Sequence, residues 1–347
     1  MIRRSAGCFS LFFAISAALA TYSSTSAQKQ KPSTAEEQDV DVVRVSTSLV
    51  TVPVSVKSRD GRFISNLRRE DFHLFEDGVE QEIAYFESPE ARSKSVNKPL
   101  TLVLLLDNSD STQFKLKEIK DAAIAFVDQL GPEDRILVMG FDRNVRVLTQ
   151  QTMDRNTLRD TISRMQSGGG TRLYDALDSV LAWLARISGR KVVVLLTDGV
   201  DTASVKATYE GTVRAAEQLD AAVYSIQYNT YADFADNSSR QTSAVEMGAT
   251  AHMTKSGELA SEAYKRGTLY LRLLAAKTGG RFEYTDSIKN LSRSFGSIAE
   301  ELRQQYTLGY YPKNRIVNGV RQLTVRIGMP NVVIRGRKSY VYGQPVQ

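Results

Sequence analysis

Cysteine and histidine are almost absent from this sequence. The 347 residues include one cysteine, Cys8, and two histidines, His73 and His252. A single cysteine excludes an internal disulfide framework and any site built from several cysteine ligands, such as a zinc finger or an iron–sulfur centre. The scarcity of histidine argues against most histidine-dependent catalysis. The net charge of +6 is too small for this length to indicate a nucleic-acid partner.

The chain also lacks a long hydrophobic run. The longest N-terminal apolar stretch, Cys8–Ala20, is too short to span a membrane comfortably, follows Arg3 and Arg4, and precedes small residues. This order predicts a signal peptide over residues 1–27, whose removal leaves no stable membrane span; an uncleaved anchor is the alternative. Residues 28–40 are polar and aperiodic, which predicts a disordered leader.

Two terminal segments, residues 41–95 and 306–347, have the alternating pattern of β-strands. Val50, Val52, Val54 and Val56 would share one strand face, and Pro53 among them favours a strand edge or a bulge. Each segment is too small to bury a core alone. We therefore expect both to combine in one β-sandwich, with a linker near residues 91–98.

Between them, residues 96–305 alternate buried strands with amphipathic helices. Leu100–Leu106 and Lys191–Leu196 are continuous apolar runs, typical of strands covered on both faces of a parallel sheet. The pattern predicts an α/β fold with a doubly wound, mostly parallel, Rossmann-like sheet that binds ligands at the carboxyl ends of its strands. The polar, aperiodic stretch 228–267 predicts a surface insertion with at most short helices.

Three loops of this predicted domain carry short polar side chains. Asp107, Ser109 and Ser111 follow the first buried strand, Thr171 ends a glycine run before a helix, and Asp198 follows the second buried strand. Brought together at one end of the sheet, these five residues offer only oxygen ligands. Such a set suits a hard divalent cation and is unsuited to zinc or copper. We expect the Asp107 carboxylate to be partly solvated there.

The spacing of these residues resembles a known family. Asp107-x-Ser109-x-Ser111, Thr171 within GGT-x-LYDAL and Asp198 within LLTDG match the metal-ion-dependent adhesion site of von Willebrand factor type A (VWFA) domains, over residues 99–305. The flanking motifs, DF-x-x-FEDG-x-x-Q at 71–81 and Q-Y-x-L-G-Y at 305–310, resemble the secreted VWFA-related proteins of Acidobacteria. A secreted or periplasmic bacterial location follows from that likeness together with the leader.

The resemblance implies a role for each site residue. Ser109, Ser111 and Thr171 would touch the metal, while Asp107 and Asp198 would act largely through bound waters. The expected cation is Mg²⁺, with Mn²⁺ or Ca²⁺ as alternatives, and it would keep a position open for a carboxylate from a protein or peptide partner. Asp110 departs from the glycine often found between the two serines; it could point to solvent or shift the cation preference.

These expectations lead to a binding protein with no catalytic residues and no further cofactor. A metal-dependent hydrolase using the same pocket is the rival interpretation, and a scaffold with a vestigial metal site is the third. The glycine run 168–170 could cradle a phosphate, but no Lys-[Ser/Thr] pair follows it, so it is not a P-loop.

Overall fold

The structure is a computed structural model that describes residues 49–94, 100–228, 230, 258–285, 287–313 and 319–342. The predicted signal peptide, the leader and most of the predicted insertion lie outside these ranges. The strands are β1 (Val50–Ser58), β2 (Phe72–Glu76), β3 (Val79–Gln81), β4 (Ile83–Glu87), β5 (Thr101–Asp107), β6 (Arg135–Phe141), β7 (Val145–Val147), β8 (Lys191–Thr197), β9 (Ala221–Tyr228), β10 (Phe282–Thr285), β11 (Tyr306–Tyr310), β12 (Gly319–Ile327), β13 (Val332–Gly336) and β14 (Ser339–Tyr342). The helices are α1 (Pro89–Lys94), α2 (Leu116–Gln129), α3 (Arg155–Ser163), α4 (Leu173–Leu184), α5 (Tyr209–Gln218), α6 (Ala260–Thr278) and α7 (Ile288–Gln304).

A six-stranded sheet forms the centre of the α/β part. Its order is β10-β9-β8-β5-β6-β7, and every neighbouring pair is parallel except β6 with the short β7. The apolar runs bury both faces of this sheet: α2, α3 and α7 cover one face, and α4, α5 and α6 cover the other. The predicted doubly wound, mostly parallel sheet is confirmed.

Local sequence signals set several helix ends. Asp154 caps α3 by accepting hydrogen bonds from the backbone of Asn156 and Thr157, and Thr208 and Ser287 cap α5 and α7 in the same way. Helix α6 ends at Gly279, whose φ of 79° is the left-handed conformation that favours glycine.

The terminal segments form two four-stranded antiparallel sheets, and each sheet takes strands from both segments. One has the order β13-β1-β11-β4 and the other β14-β12-β2-β3. One hydrophobic cluster draws on both sheets, including Val54, Leu74, Leu308 and Leu323. The expected direct association of the two segments is therefore present. Glu76 also links the sheets, because its Oε2 accepts a hydrogen bond from the Tyr310 hydroxyl at 2.6 Å.

Three local expectations differ from the structure. The apolar pattern of Val332–Tyr342 predicts one strand, but the structure divides it at Arg337 into β13 and β14, which belong to different sheets. At this break the buried Arg337 side chain donates a hydrogen bond to Asp220 Oδ1 at 3.1 Å. Pro53 is not on an edge strand, since β1 lies between β13 and β11. It directly precedes Val54, the first residue of β1 that pairs with β13. The expected linker includes part of helix α1.

The spacing of apolar residues predicts a helix at Leu269–Lys277. Helix α6 begins nine residues earlier, at Ala260, inside the expected insertion. Its first turns are packed against the fold, because Ala263 and Gly267 are buried.

Among the described residues, none of the helices combines the length and the hydrophobicity that a membrane span requires.

Candidate metal site at the carboxyl end of the central sheet

Two aspartates lie where adjacent central strands end. Strands β5 and β8 pair in parallel up to Leu106 and Leu196, so Asp107 and Thr197 stand at the same level. The Thr197 hydroxyl donates a hydrogen bond to Asp107 Oδ2 at 2.6 Å, and Asp198 follows immediately. Asp107 is fully buried (0% exposed), so the expectation that it is partly solvated was wrong. Its carboxylate is covered because the loops that follow the strands fold over it.

The loop after β5 brings both predicted serines to these carboxylates. The backbone N–H of Ser109 donates to Asp107 Oδ1 at 3.0 Å, which turns the chain sharply after the strand. The Ser109 and Ser111 hydroxyl oxygens are 3.0 Å apart, and the Ser111 hydroxyl hydrogen-bonds the Asp198 carboxylate. Thr112 locks this turn by donating to the Ser109 carbonyl at 2.9 Å. The loop therefore joins the two aspartates through hydroxyl groups.

Thr171 reaches the same end of the sheet through its backbone contacts. Its N–H donates to the Thr202 hydroxyl at 2.9 Å, and its carbonyl accepts from the N–H groups of Thr202 and Ala203 at 2.9 and 3.0 Å. These contacts tie the loop before α4 to the loop that follows Asp198. All five predicted residues thus lie in loops or strand ends at one end of the sheet.

The glycine run before Thr171 permits close approach to the first loop. A Cβ on Gly168 would lie 2.0 Å from Asp142 Oδ2, and the Gly168 N–H donates to the Asn108 carbonyl at 2.8 Å. A Cβ on Gly169 would lie 3.4 Å from Asp110 Oδ2, which places the half-buried Asp110 beside this loop. Larger residues at Gly168 would separate the two loops.

Sequence reasoning missed the residues that surround Asp198. Its Oδ1 accepts from the Val200 N–H at 3.0 Å, and its Oδ2 accepts from the Thr230 hydroxyl at 3.0 Å and the Tyr264 hydroxyl at 3.4 Å. Thr230 and Tyr264 lie within the stretch interpreted as a surface insertion, which has no motif that marks them. Only the packing of α6 against β9 reveals their role.

Burial dominates the electrostatics of the site. It raises the pKa of Asp107 to about 7, with repulsion from Asp198 adding to the effect and hydrogen bonds from Ser109 and Thr197 opposing it. Burial also raises the pKa of Asp198, against the hydrogen bond from Ser111. Two buried carboxylates that repel each other are costly unless protons or a cation balance them.

The donor set is therefore two carboxylates and hydroxyl groups. Among the described residues, no group of three or more histidine, cysteine, aspartate or glutamate side chains is arranged to hold a metal. Oxygen donors with only two negative charges fit Mg²⁺, which retains several waters, better than a thiophilic metal. The metal-binding role of Asp107, Ser109, Ser111, Thr171 and Asp198 stays a prediction.

These features define an α/β domain with an oxygen-rich site at the carboxyl end of its sheet. Residues 102–200 match the family model of the von Willebrand factor type A domain. The match covers all five predicted site residues.

Individual proteins similar to this chain share only 14–32% of aligned residues with it. The chain is 32% identical over 106 residues to the uncharacterized protein sll0103 of Synechocystis sp.; the alignment covers 29% of this chain and a quarter (25%) of that relative. Among solved structures, it is similar to a von Willebrand factor type A protein from Catenulispora acidiphila, with a TM-score of 0.48, 14% identity and coverage of 81% and 75% of the two chains. It is also similar to the vWF domain of the type V pili tip protein Mfa5 from Porphyromonas gingivalis, with a TM-score of 0.44, 14% identity and coverage of 60% and 96%.

Proposed function

We propose that this protein is a secreted interaction module that binds a carboxylate of a protein or peptide partner through a divalent cation. The cation would be held by Asp107, Ser109, Ser111, Thr171 and Asp198, with Mg²⁺ as the resident ion. The observation that supports this most is the burial of the neighbouring carboxylates of Asp107 and Asp198 beside two serine hydroxyls, a burial that raises the pKa of both groups.

The residues of this chain prepare the site in three ways. Thr197 and the Ser109 N–H hold both oxygens of Asp107 in place, so little side-chain freedom is lost on binding. Burial by the surrounding loops keeps water from screening the charges. Mg²⁺, when bound, supplies a positive centre that accepts an external carboxylate.

The finer assignments belong to the same proposal. The two antiparallel sheets would form one β-sandwich beside the α/β domain, and the chain would belong to the secreted Acidobacteria-type VWFA-related family. Export would remove residues 1–27, which N-terminal sequencing of the protein from its native host tests; an intact Met1 would contradict it.

The metal site is tested by thermal unfolding in EDTA and in millimolar Mg²⁺, Mn²⁺ or Ca²⁺. A cation that binds only the folded state stabilises it by about 2.7 kcal/mol at a hundredfold excess over Kd. Asp198→Asn and Ser111→Ala should lose most of this shift. Ser163→Ala is the matched control, because the Ser163 hydroxyl is exposed and bonds only its own helix at Asp160. Identical wild-type midpoints in all four conditions would contradict a functional metal site.

The interaction role is tested by capturing partners from the native extracellular fraction with immobilised protein. Capture should require Mg²⁺, disappear in EDTA and be absent for Asp198→Asn. A partner retained equally in EDTA would contradict the proposal, and metal-dependent cleavage of that partner would instead favour the hydrolase.

A further inference from the structure

A cavity of about 910 Å³ lies at the amino end of the central sheet, opposite the candidate metal site. One wall is formed by the first residues of β5, β6 and β8 and by the loop between α4 and β8. Strands β1, β4 and β11 of an antiparallel sheet form the facing wall. The cavity thus lies between the α/β part and the terminal β segments.

Positive charge predominates among the side chains that line this cavity. The cationic residues are Arg135, Arg186, Arg190 and Lys191, and the acidic ones are Glu87 and Asp220. Asp220 is already balanced within the fold, because the buried Arg337 donates to its Oδ1 at 3.1 Å and the Thr51 hydroxyl donates to its Oδ2. The cavity therefore carries a net positive charge.

Strand register places two of these cations on one face. Arg135 and Lys191 pair with Thr101 from opposite sides, so they occupy the same level of the two parallel strands that flank β5. Two strand spacings separate their Cα atoms, which is roughly 9–10 Å. The pair can therefore reach two anionic groups of one ligand.

The α4–β8 loop adds two arginines to this pair. Arg190 is oriented by donating to the Leu302 carbonyl at 2.9 Å and to the Gln305 side chain, while Arg186 is exposed. Burial lowers the pKa of Lys191, with Arg337 adding to the effect and Asp220 opposing it. An anion in the cavity would favour the charged form of this lysine.

We propose that this cavity binds a small organic polyanion that carries at least two carboxylate or phosphate groups. The volume lies within the range of about 300–1,000 Å³ found for sites of organic ligands. Guanidinium groups bind both carboxylate and phosphate in a bidentate manner, so Arg135 and Arg186 would each hold one anionic group. The hydroxyls of Thr51 and Thr307 line the same cavity and can bond polar atoms between these groups.

Calorimetric titration of the full-length protein, in buffer freed of divalent cations by a chelating resin, tests this inference with two probes, citrate and fructose 1,6-bisphosphate. Sodium chloride at the same ionic strength is the reference for non-specific screening. We expect one molecule of at least one probe to bind per chain, and the preferred probe identifies carboxylate or phosphate as the ligand chemistry. Arg135→Ala and Arg186→Ala should each raise Kd at least tenfold; both side chains are exposed, so the fold should survive.

Arg214→Ala is the matched control, because Arg214 is an exposed arginine on α5 that does not line the cavity. It should bind the probe as the wild type does. Absence of binding by both probes, or equal Kd values for all three variants, would overturn the inference. Because the buffer contains no divalent cations, the outcome is independent of the proposed metal site.

Discussion

The Thr197 hydroxyl and the Asp107 carboxylate are joined by a hydrogen bond of 2.6 Å between the ends of two neighbouring parallel strands. The same hydroxyl accepts the Gly199 N–H at 3.0 Å, so one side chain fixes both the first aspartate and the turn that follows the second. Thr197 is 1% exposed. It is a positioning residue for the candidate site, and the sequence analysis assigned it no role although it is the threonine of the LLTDG segment.

We predict that Thr197→Val lowers the free energy of unfolding in EDTA by about 1.5–3 kcal/mol, because it leaves a buried carboxylate oxygen and a buried N–H without a partner. It should also reduce the stabilisation by Mg²⁺. Thr197→Ser keeps the hydroxyl and should preserve the metal response. Urea unfolding of both variants with and without Mg²⁺ measures this. Equal stabilisation of Thr197→Val and Thr197→Ser by Mg²⁺ would argue against the positioning role.

Asp175 supports a pH-dependent prediction. Its carboxylate accepts backbone hydrogen bonds from Val205, Lys206 and Ala207 at 3.1, 3.0 and 2.8 Å, which ties α4 to the loop before α5. Burial would raise the pKa of Asp175, but these three bonds outweigh burial and hold the pKa below its ordinary value. The native state therefore binds the ionised form more strongly than the unfolded chain does.

A carboxylate with a lowered native pKa contributes stability that is present above the unfolded pKa of about 3.9 and is lost as pH falls through the native pKa. We therefore expect Asp175→Asn to cost about 1.5–3 kcal/mol at pH 6–7 and progressively less below about pH 4. Urea unfolding of wild type and variant across this range gives the difference. A difference that stays constant down to pH 2.5 would contradict the assignment.

Gly267 lies where helix α6 touches the loop after Asp198. A Cβ there would be 2.4 Å from the Gly199 carbonyl oxygen, a backbone atom that cannot move alone. We expect Gly267→Ala to destabilise the fold by about 1–3 kcal/mol through overpacking. It should also weaken the Mg²⁺ response, since the displaced loop carries Asp198.

Gly296 provides a matched control in the interior of helix α7. A Cβ there would meet only the end of the Gln129 side chain, at 3.3 Å. Gly296→Ala should therefore stabilise the protein by about 0.5–1 kcal/mol, because alanine favours the helix. Thermal unfolding compares both variants with the wild type. If both substitutions stabilised the protein, the close approach at Gly267 would not be what makes alanine unfavourable there.

The terminal β segments should depend on each other. Strand β1 pairs only with β11 and β13 among the described strands, and β2 pairs with β12, so these partners all follow Gln305. We expect a chain that ends at Gln305 to lose protection in residues 50–87, as measured by hydrogen exchange with mass spectrometry, while β5 and β8 stay protected. A folded peptide of residues 28–88 in isolation would contradict this dependence.

Sequence patterns alone determined the main layers of the protein and the candidate residues of its site. Continuous apolar runs can only be buried on both faces, so they predicted a central parallel sheet. Short polar side chains directly after those runs must lie at the carboxyl end of that sheet, which is why Asp107, Ser109, Ser111, Thr171 and Asp198 were found from spacing. The pair Asp77-Gly78 likewise predicts a turn between two strands, and its φ values of 48° and 82° suit these residue types.

Tertiary structure decided what depends on contacts between distant parts of the chain. The assignment of β13 and β14 to different sheets follows from the turn at Arg337, whose side chain finds Asp220 more than a hundred residues away. The full burial of Asp107 and the approach of Thr230 and Tyr264 to Asp198 arise from loops and a helix that pack over the strand ends. Sequence periodicity reports only which face of an element is apolar. Desolvation and the pKa shifts it causes depend on which elements cover a group, and that is settled only when the whole chain has packed.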